Sequence, residues 1–172
     1  GDPVTAYDYE YGFQRIVNPE TVSPIAWRIF NIVNAAAINA GDMDVDQLGV
    51  TAIDNSTLQI KLTEPAAWFA VSLHSVGHAL PIDVVEEFGE DWVLPENIVV
   101  NGPYKMTAWG PTDIMVLEKN PSYYNAEDVD IEKITILHVP EASTAMAMYE
   151  NDEIDTVDVT PEDLDRVKND PD

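Results

Sequence analysis

Histidines, carboxylates and hydroxyls are the groups that would carry chemistry in these 172 residues, because the chain contains no cysteine. Thiol nucleophiles, disulfides and cysteine-ligated zinc are thereby excluded. His74 and His78 stand four apart, a spacing that can place two imidazoles on one helix face and hold zinc if a carboxylate joins them. The intervening Ser75-Val76-Gly77 is poor helix interior, however, and the His-Glu-x-x-His pattern is absent. The pair therefore reads as loop or edge, as does the third histidine, His138. Asp42, Asp44 and Asp46 alternate like the start of a calcium loop. The pattern then fails, with Gln47 at the turn-glycine position and no glutamate at the twelfth place. Asn55-Ser56-Thr57 matches a glycosylation sequon, but a turn between strands explains it equally well. Pairs such as Glu86-Glu87 or Asp163 with Asp165 arise by chance among 32 acidic residues. Neither a Gly-x-Ser-x-Gly elbow nor a glycine-rich phosphate loop occurs. No catalytic residue, metal ligand or cofactor is expected.

The tryptophans are the remaining candidates. Trp27, Trp68, Trp92 and Trp109 each have apolar neighbours, so most are expected in the core, with one or two free to line a ligand cleft.

Charge narrows the partners. Eight basic against 32 acidic residues give a net charge of −24, divided as −6 over residues 1–80 and −18 over residues 81–172. Such a surface repels phosphate backbones and anionic lipid, which argues against nucleic-acid or membrane-surface binding. A solvated acidic coat is the simple reading, and a bias toward cationic ligands the sharper one. With 45% hydrophobic and 23% charged residues the composition is that of a globular protein. No apolar run reaches the length of a membrane span, the longest (Ile29 to Ala40) being interrupted by Asn31, Asn34 and Asn39.

These residues need elements to position them. Thr5, with Asp8 three residues on, predicts a helix N-terminus, and Tyr9, Phe13 and Ile16 supply its apolar face up to about Val17, where Asn18-Pro19 stops it. Ser23-Pro24 predicts a second helix carrying Ile25, Ile29, Ile32 and Ala36 and ending at Gly41. Gly49 to Ile53 and Thr57 to Leu62 read as a hairpin about Asp54-Asn55-Ser56. Short helices follow at Ala66 to Leu73 and Asp83 to Phe88, with Pro81 a boundary. Beyond it come a hairpin (Pro103 to Ala108, Ile114 to Glu118), a strand (Lys133 to Val139), a helix (Ser143 to Asn151), a strand (Ile154 to Val159) and a helix (Pro161 to Lys168). The expected organisation is a mixed α/β (α+β) chain with a small subdomain at 1–80 and a second at 81–172. Gly1-Asp2-Pro3 opens with neither an initiator Met nor the regions of a signal peptide, and the chain is expected to be an internal piece with any export signal upstream.

Several strings carry a resemblance. Asp2-Pro3-Val4-Thr5-Ala6-Tyr7-Asp8, Asn18-Pro19-Glu20-Thr21-Val22-Ser23-Pro24, Leu48-Gly49-Val50-Thr51-Ala52-Ile53-Asp54 and Asn97-Ile98-Val99-Val100-Asn101-Gly102-Pro103-Tyr104 come first. Leu117-Glu118-Lys119-Asn120-Pro121 with Tyr123-Tyr124, and Tyr149-Glu150-Asn151-Asp152-Glu153-Ile154-Asp155, complete the set. In order and spacing they resemble the peptide-binding (family 5) solute-binding proteins of ABC importers, the oligopeptide branch in particular.

The resemblance implies a fragment of the class II periplasmic-binding-protein-like, two-lobed fold. Residues 1–80 would be most of the small domain and residues 81–172 a central part of the first lobe. It implies a receptor rather than an enzyme, extracytoplasmic (periplasmic, or a cell-surface lipoprotein), that delivers an oligopeptide to ABC transporter permease subunits. Peptides in this family are held in extended form through backbone hydrogen bonds, with water filling the side-chain pockets. By carry-over the ligand-facing positions are Ile25, His74, Thr156, Val157 and Asp158. Ile25 stands where the family has a tyrosine near the peptide, which implies a lost contact and a different preference. The alternatives are a receptor of the same family for a nickel complex or a sugar, or an extracellular structural or adhesion module.

Overall fold

The computed structural model describes residues 2–110 and 114–169; the centre of the loop read between the second pair of strands lies outside the described residues. The chain forms two compact units, Gly1–Trp92 and Val93–Asp172.

In the first unit helix α1, Ala6–Val17, begins as the sequence predicts. The Asp8 carboxylate accepts from the Thr5 N–H at 2.6 Å and from the Thr5 hydroxyl at 2.9 Å, tying down the first turn. Asn18 leaves the helical region before Pro19, and the helix stops. Its inner face buries Phe13 and Val17. Strands β1, Val50–Asp54, and β2, Thr57–Ile60, form the expected antiparallel hairpin, with an irregularity between Ala52 and Asp54. The hairpin packs on α1, where the Ala52 N–H donates to the Glu10 carboxylate at 2.9 Å and the Ala6 N–H to the Asn55 carbonyl at 2.9 Å.

The second predicted helix departs from expectation. Residues Ala26–Ile29 form only a 3-10 turn, and helix α2 is confined to Ala35–Asn39. The break has a physical cause in tertiary hydrogen bonding. Ile32 bridges Leu62 in antiparallel fashion, the Val33 N–H donates to the Lys61 carbonyl, and the Asn31 carbonyl accepts from the Thr63 N–H at 2.8 Å. Backbone groups engaged across the hairpin cannot also close a helical ladder, and Asn34 takes the left-handed conformation at φ 67°. Gly41, at φ 82°, ends α2 as predicted.

Helix α3 covers Phe69–Val76, three residues later than predicted, and helix α4 covers Ile82–Phe88. The buried cluster of this unit joins Phe13, Val17, Ile29, Ile32, Ile38, Val50, Phe69 and Val76. Helices α1, α2 and α3, the turn Ala26–Ile29 and β1 contribute to it, and Leu58 and Ile60 of β2 pack against it, which fixes their mutual positions.

In the second unit strands β3, Tyr104–Trp109, β4, Ile114–Lys119, and β5, Lys133–Leu137, make an antiparallel sheet in the order β3-β4-β5. Asn120, the buried polar residue at the end of β4, donates through Nδ2 to the Gly102 carbonyl at 2.9 Å and accepts the Ser122 N–H at 3.0 Å. Helix α5, Ala142–Glu150, buries Met146, and helix α6, Leu164–Lys168, is joined to it by the Arg166–Glu150 ion pair. The strand expected at Ile154 to Val159 is not formed. That segment has no ladder partner among the described residues, and a strand exists only through its pairing.

Candidate functional site

Two short stretches of the first unit face each other across a groove of about 510 Å³. One is the 3-10 turn Ala26–Ile29 and the residues just after it, which supply Trp27, Arg28 and Asn31. The other is α3 with the residue before it, which supplies Trp68, Ser72, His74 and Ser75. Local sequence explains both placements. Trp68, Ser72 and Ser75 are spaced by four and three, so they share one helix face, while Phe69 and Val76, about a quarter-turn round the helix, enter the core. Ile29 and Ile32 likewise point into the core and turn Trp27, Arg28 and Asn31 toward the groove.

Both tryptophans are open to solvent, Trp27 at 64% and Trp68 at 57% of their area. This corrects the expectation that most tryptophans are core: Trp109 is also exposed and Trp92 only half-buried. The Arg28 guanidinium lies over the Trp27 ring, 5.5 Å from its centroid, a cation–π geometry, and Arg28 also lines the groove. Among the described residues Arg28 has no ion-pair partner. His74 places Nδ1 2.6 Å from the Val71 carbonyl. A carbonyl only accepts, so Nδ1 carries the proton and Nε2 is the free nitrogen. The Ser72 and Ser75 hydroxyls donate back to the carbonyls of Phe69 (2.7 Å) and Ser72 (2.9 Å), not to His74. The arrangement thus holds no nucleophile–base pair of the kind acyl transfer requires.

Asn31 is the unusual member. Its side-chain oxygen and nitrogen are both buried, and neither has a hydrogen-bond partner among the described residues. Buried amides are normally paired, and an unpaired one marks a strained or functional position.

Of the five sequence-derived positions, His74 lines this groove. Ile25 is half-buried and packs against the core cluster at the base of the turn that carries Trp27 and Arg28. Thr156, Val157 and Asp158 lie in the second unit, in a stretch outside any helix or strand, where Thr156 and Asp158 are exposed and Val157 is half-buried. Sequence reading missed Arg28, Asn31, Ser72 and Ser75. The usable signal was the helical spacing of Trp68, Ser72 and Ser75 beside the buried Phe69 and Val76.

Two further clefts are less suited to a ligand. One, about 370 Å³ beneath α1, is lined largely by Phe13, Leu58, Ile60 and Leu73, the edge of the core itself. The other, about 440 Å³ in the second unit, is bordered by Tyr104, Tyr123, Asp128 and Asp130. There a hydrogen bond to Tyr124 holds the Tyr123 phenol above its ordinary range, and the two rings stand 4.6 Å apart. Among the described residues no group of three or more His, Asp and Glu is placed to hold a metal ion, and no helix is long and apolar enough to cross a membrane.

Among the described residues the side chains lining this groove form no nucleophile–base pair. The family model of bacterial extracellular solute-binding proteins, family 5 (middle region), matches residues 1–172. The chain belongs to that family. It is 37% identical over 158 residues to the periplasmic oligopeptide-binding protein OppA of Salmonella typhimurium, covering 90% of this chain and 29% of that protein. It is 36% identical over 158 residues to the probable deoxycholate-binding periplasmic protein YgiS of Escherichia coli, covering 90% and 30%. The solved structure of the Escherichia coli murein tripeptide binding protein MppA superposes with a TM-score of 0.87 at 35% identity, over 99% of this chain and 34% of that one. The chain therefore spans about a third of the length of these relatives.

Proposed function

We propose that this chain is the small-domain and central first-lobe portion of an extracytoplasmic receptor that captures an oligopeptide and hands it to the permease subunits of an ABC importer. Residues 1–80 would be most of the small domain and residues 81–172 a central part of the first lobe. The observation that supports this best is the open groove between the 3-10 turn Ala26–Ile29 and α3, in a family whose curated members include oligopeptide receptors. Exposed indole faces and unengaged polar groups around a concavity suit reversible capture, with no bond made or broken. In this reading His74 faces ligand directly. Ile25 acts from beneath, setting the turn that carries Trp27 and Arg28, and Thr156, Val157 and Asp158 offer backbone groups to an extended peptide.

A second reading, a receptor for a small amphipathic acid, is favoured by the similarity to a relative described as probably deoxycholate-binding. Mass spectrometry of the solute released on denaturing the natural full-length protein separates the two. Peptides of a few residues support the first reading. A steroid acid without peptides overturns it in favour of the second.

A further inference from the structure

Despite the strongly acidic chain, none of the side chains lining this groove is acidic. The ionisable groups that line it are Arg28 and the His74 ring. Net charge alone favours cationic ligands, yet this concavity offers a cation, two exposed indoles and a buried amide.

We infer that the groove receives the C-terminal residue of a peptide, with its carboxylate on Arg28 and an aromatic or aliphatic side chain against Trp27 and Trp68. This rests on the peptide-receptor reading above and names which end of the ligand the first unit holds. Three independent features converge on it. The Arg28 guanidinium is planar, always charged and without an ion-pair partner among the described residues, and it lies over the Trp27 ring at the groove. The exposed faces of Trp27 and Trp68 are the large apolar surfaces a terminal side chain would cover. Asn31, at the groove, has both an unpaired donor and an unpaired acceptor. A peptide group, one N–H and one C=O, answers both, whereas a simple fatty or aromatic acid has no amide to offer. Reaching that amide takes a side-chain rotation at the groove, because both atoms are buried.

The test uses the natural full-length receptor freed of endogenous solute. Two pooled tripeptide libraries ending in Phe are offered, one with a free C-terminal carboxylate and one amidated, with retention read by mass spectrometry and affinity by calorimetry. The acid pool is expected to bind about tenfold more tightly, as one charge-assisted contact implies. Arg28→Gln is expected to weaken the acid pool by about that factor, leave the amide pool unchanged and so erase the preference; Arg28→Lys should retain part of it. Arg28 is exposed, so these variants leave the core intact. Equal binding of both pools by the unaltered receptor overturns the inference while the peptide reading stands, and so does a preference that survives in Arg28→Gln. Retention of neither pool overturns the peptide reading itself.

Discussion

Gly12 sits in the middle of α1, where replacement by alanine would ordinarily strengthen a helix by about 1 kcal/mol. Here the opposite outcome is expected. A methyl group at Gly12 would collide with the backbone carbonyl oxygen of His78, and would lie 3.5 Å from that carbonyl carbon and 3.7 Å from Leu80 Cγ. The obstacle is backbone, so no side-chain rotation relieves it. Residues 77–80 must move away from the helix. That overpacking costs about 1–3 kcal/mol. It also threatens the hydrogen bond from the Leu80 N–H to the Asp8 carbonyl, 3.1 Å long and worth about 1 kcal/mol. Set against the propensity gain, the net is a loss of about 1–3 kcal/mol for Gly12→Ala.

Thermal unfolding followed by circular dichroism reads this directly, since a unit of this size shifts its midpoint by about 4–8 °C for each kcal/mol. The unaltered chain and Gly12→Ala should differ in midpoint and share the same denaturant slope. An unchanged midpoint, or a rise of the size helix propensity alone would give, refutes the argument. It would mean that the 77–80 segment is not seated on α1. The consequence reaches the groove, because residues 77–80 follow α3 directly and their displacement loosens the helix that carries Ser72, His74 and Ser75.

Three further outcomes are expected. Asn31→Leu removes an unpaired buried amide while keeping the same branched four-atom skeleton, so it should raise stability by about 1–3 kcal/mol while weakening capture of peptide; denaturant titration showing a loss for both this variant and the smaller Asn31→Ala would mean that the amide is paired in the folded protein. Asn120→Ala leaves the Gly102 carbonyl and the Ser122 N–H without their side-chain partner and should cost about 1–3 kcal/mol in the second unit, measurable by the same titration. The Asp54 carboxylate accepts from the Ser56 N–H at 2.8 Å and the Ser56 hydroxyl at 3.0 Å, and these bonds, the backbone one foremost, hold its pKa below the ordinary 3.8. A depressed carboxylate stabilises the fold above its unfolded value and loses that contribution as pH falls through the folded value. Asp54→Asn should therefore lower stability slightly at neutral pH, where the carboxylate's contribution is fully present, and flatten the profile below about pH 4, as acid titration of both forms would reveal.

Much of the architecture was legible because local signals and tertiary packing agreed. Thr5 and Asp8 mark the start of α1 and Asn18-Pro19 its end, and the apolar face between them is the one that packs. The alternation of Leu58 and Ile60 with Gln59 gave the hairpin and its inner face. The segment 154–159 failed for a different reason. Its alternation is that of a strand, but alternation states only which residues would share a face. A ladder needs a partner, and no periodicity within one segment reports whether the partner is at hand.

The remaining failures fall together in space, and that coincidence is itself informative. The helix expected through Ile25 to Ala36 breaks at Asn31 to Asn34, the tryptophans expected in the core stand exposed at Trp27 and Trp68, and the buried amide left unpaired is Asn31. All of these border one groove. Sequences that fold well are locally consistent, and departures concentrate where function requires a less stable choice. Exposed indoles add no burial to the fold, an unpaired buried amide destabilises it, and a broken helix forgoes hydrogen bonds within its own ladder. A merely structural surface has no reason to gather three such departures within two short stretches. The core beneath them, built from Ile29, Ile32, Phe69 and Val76, follows the ordinary rules and holds those stretches in place. The groove is thus rigid from below and unsatisfied from above, the combination that a binding surface needs and that packing alone would have removed.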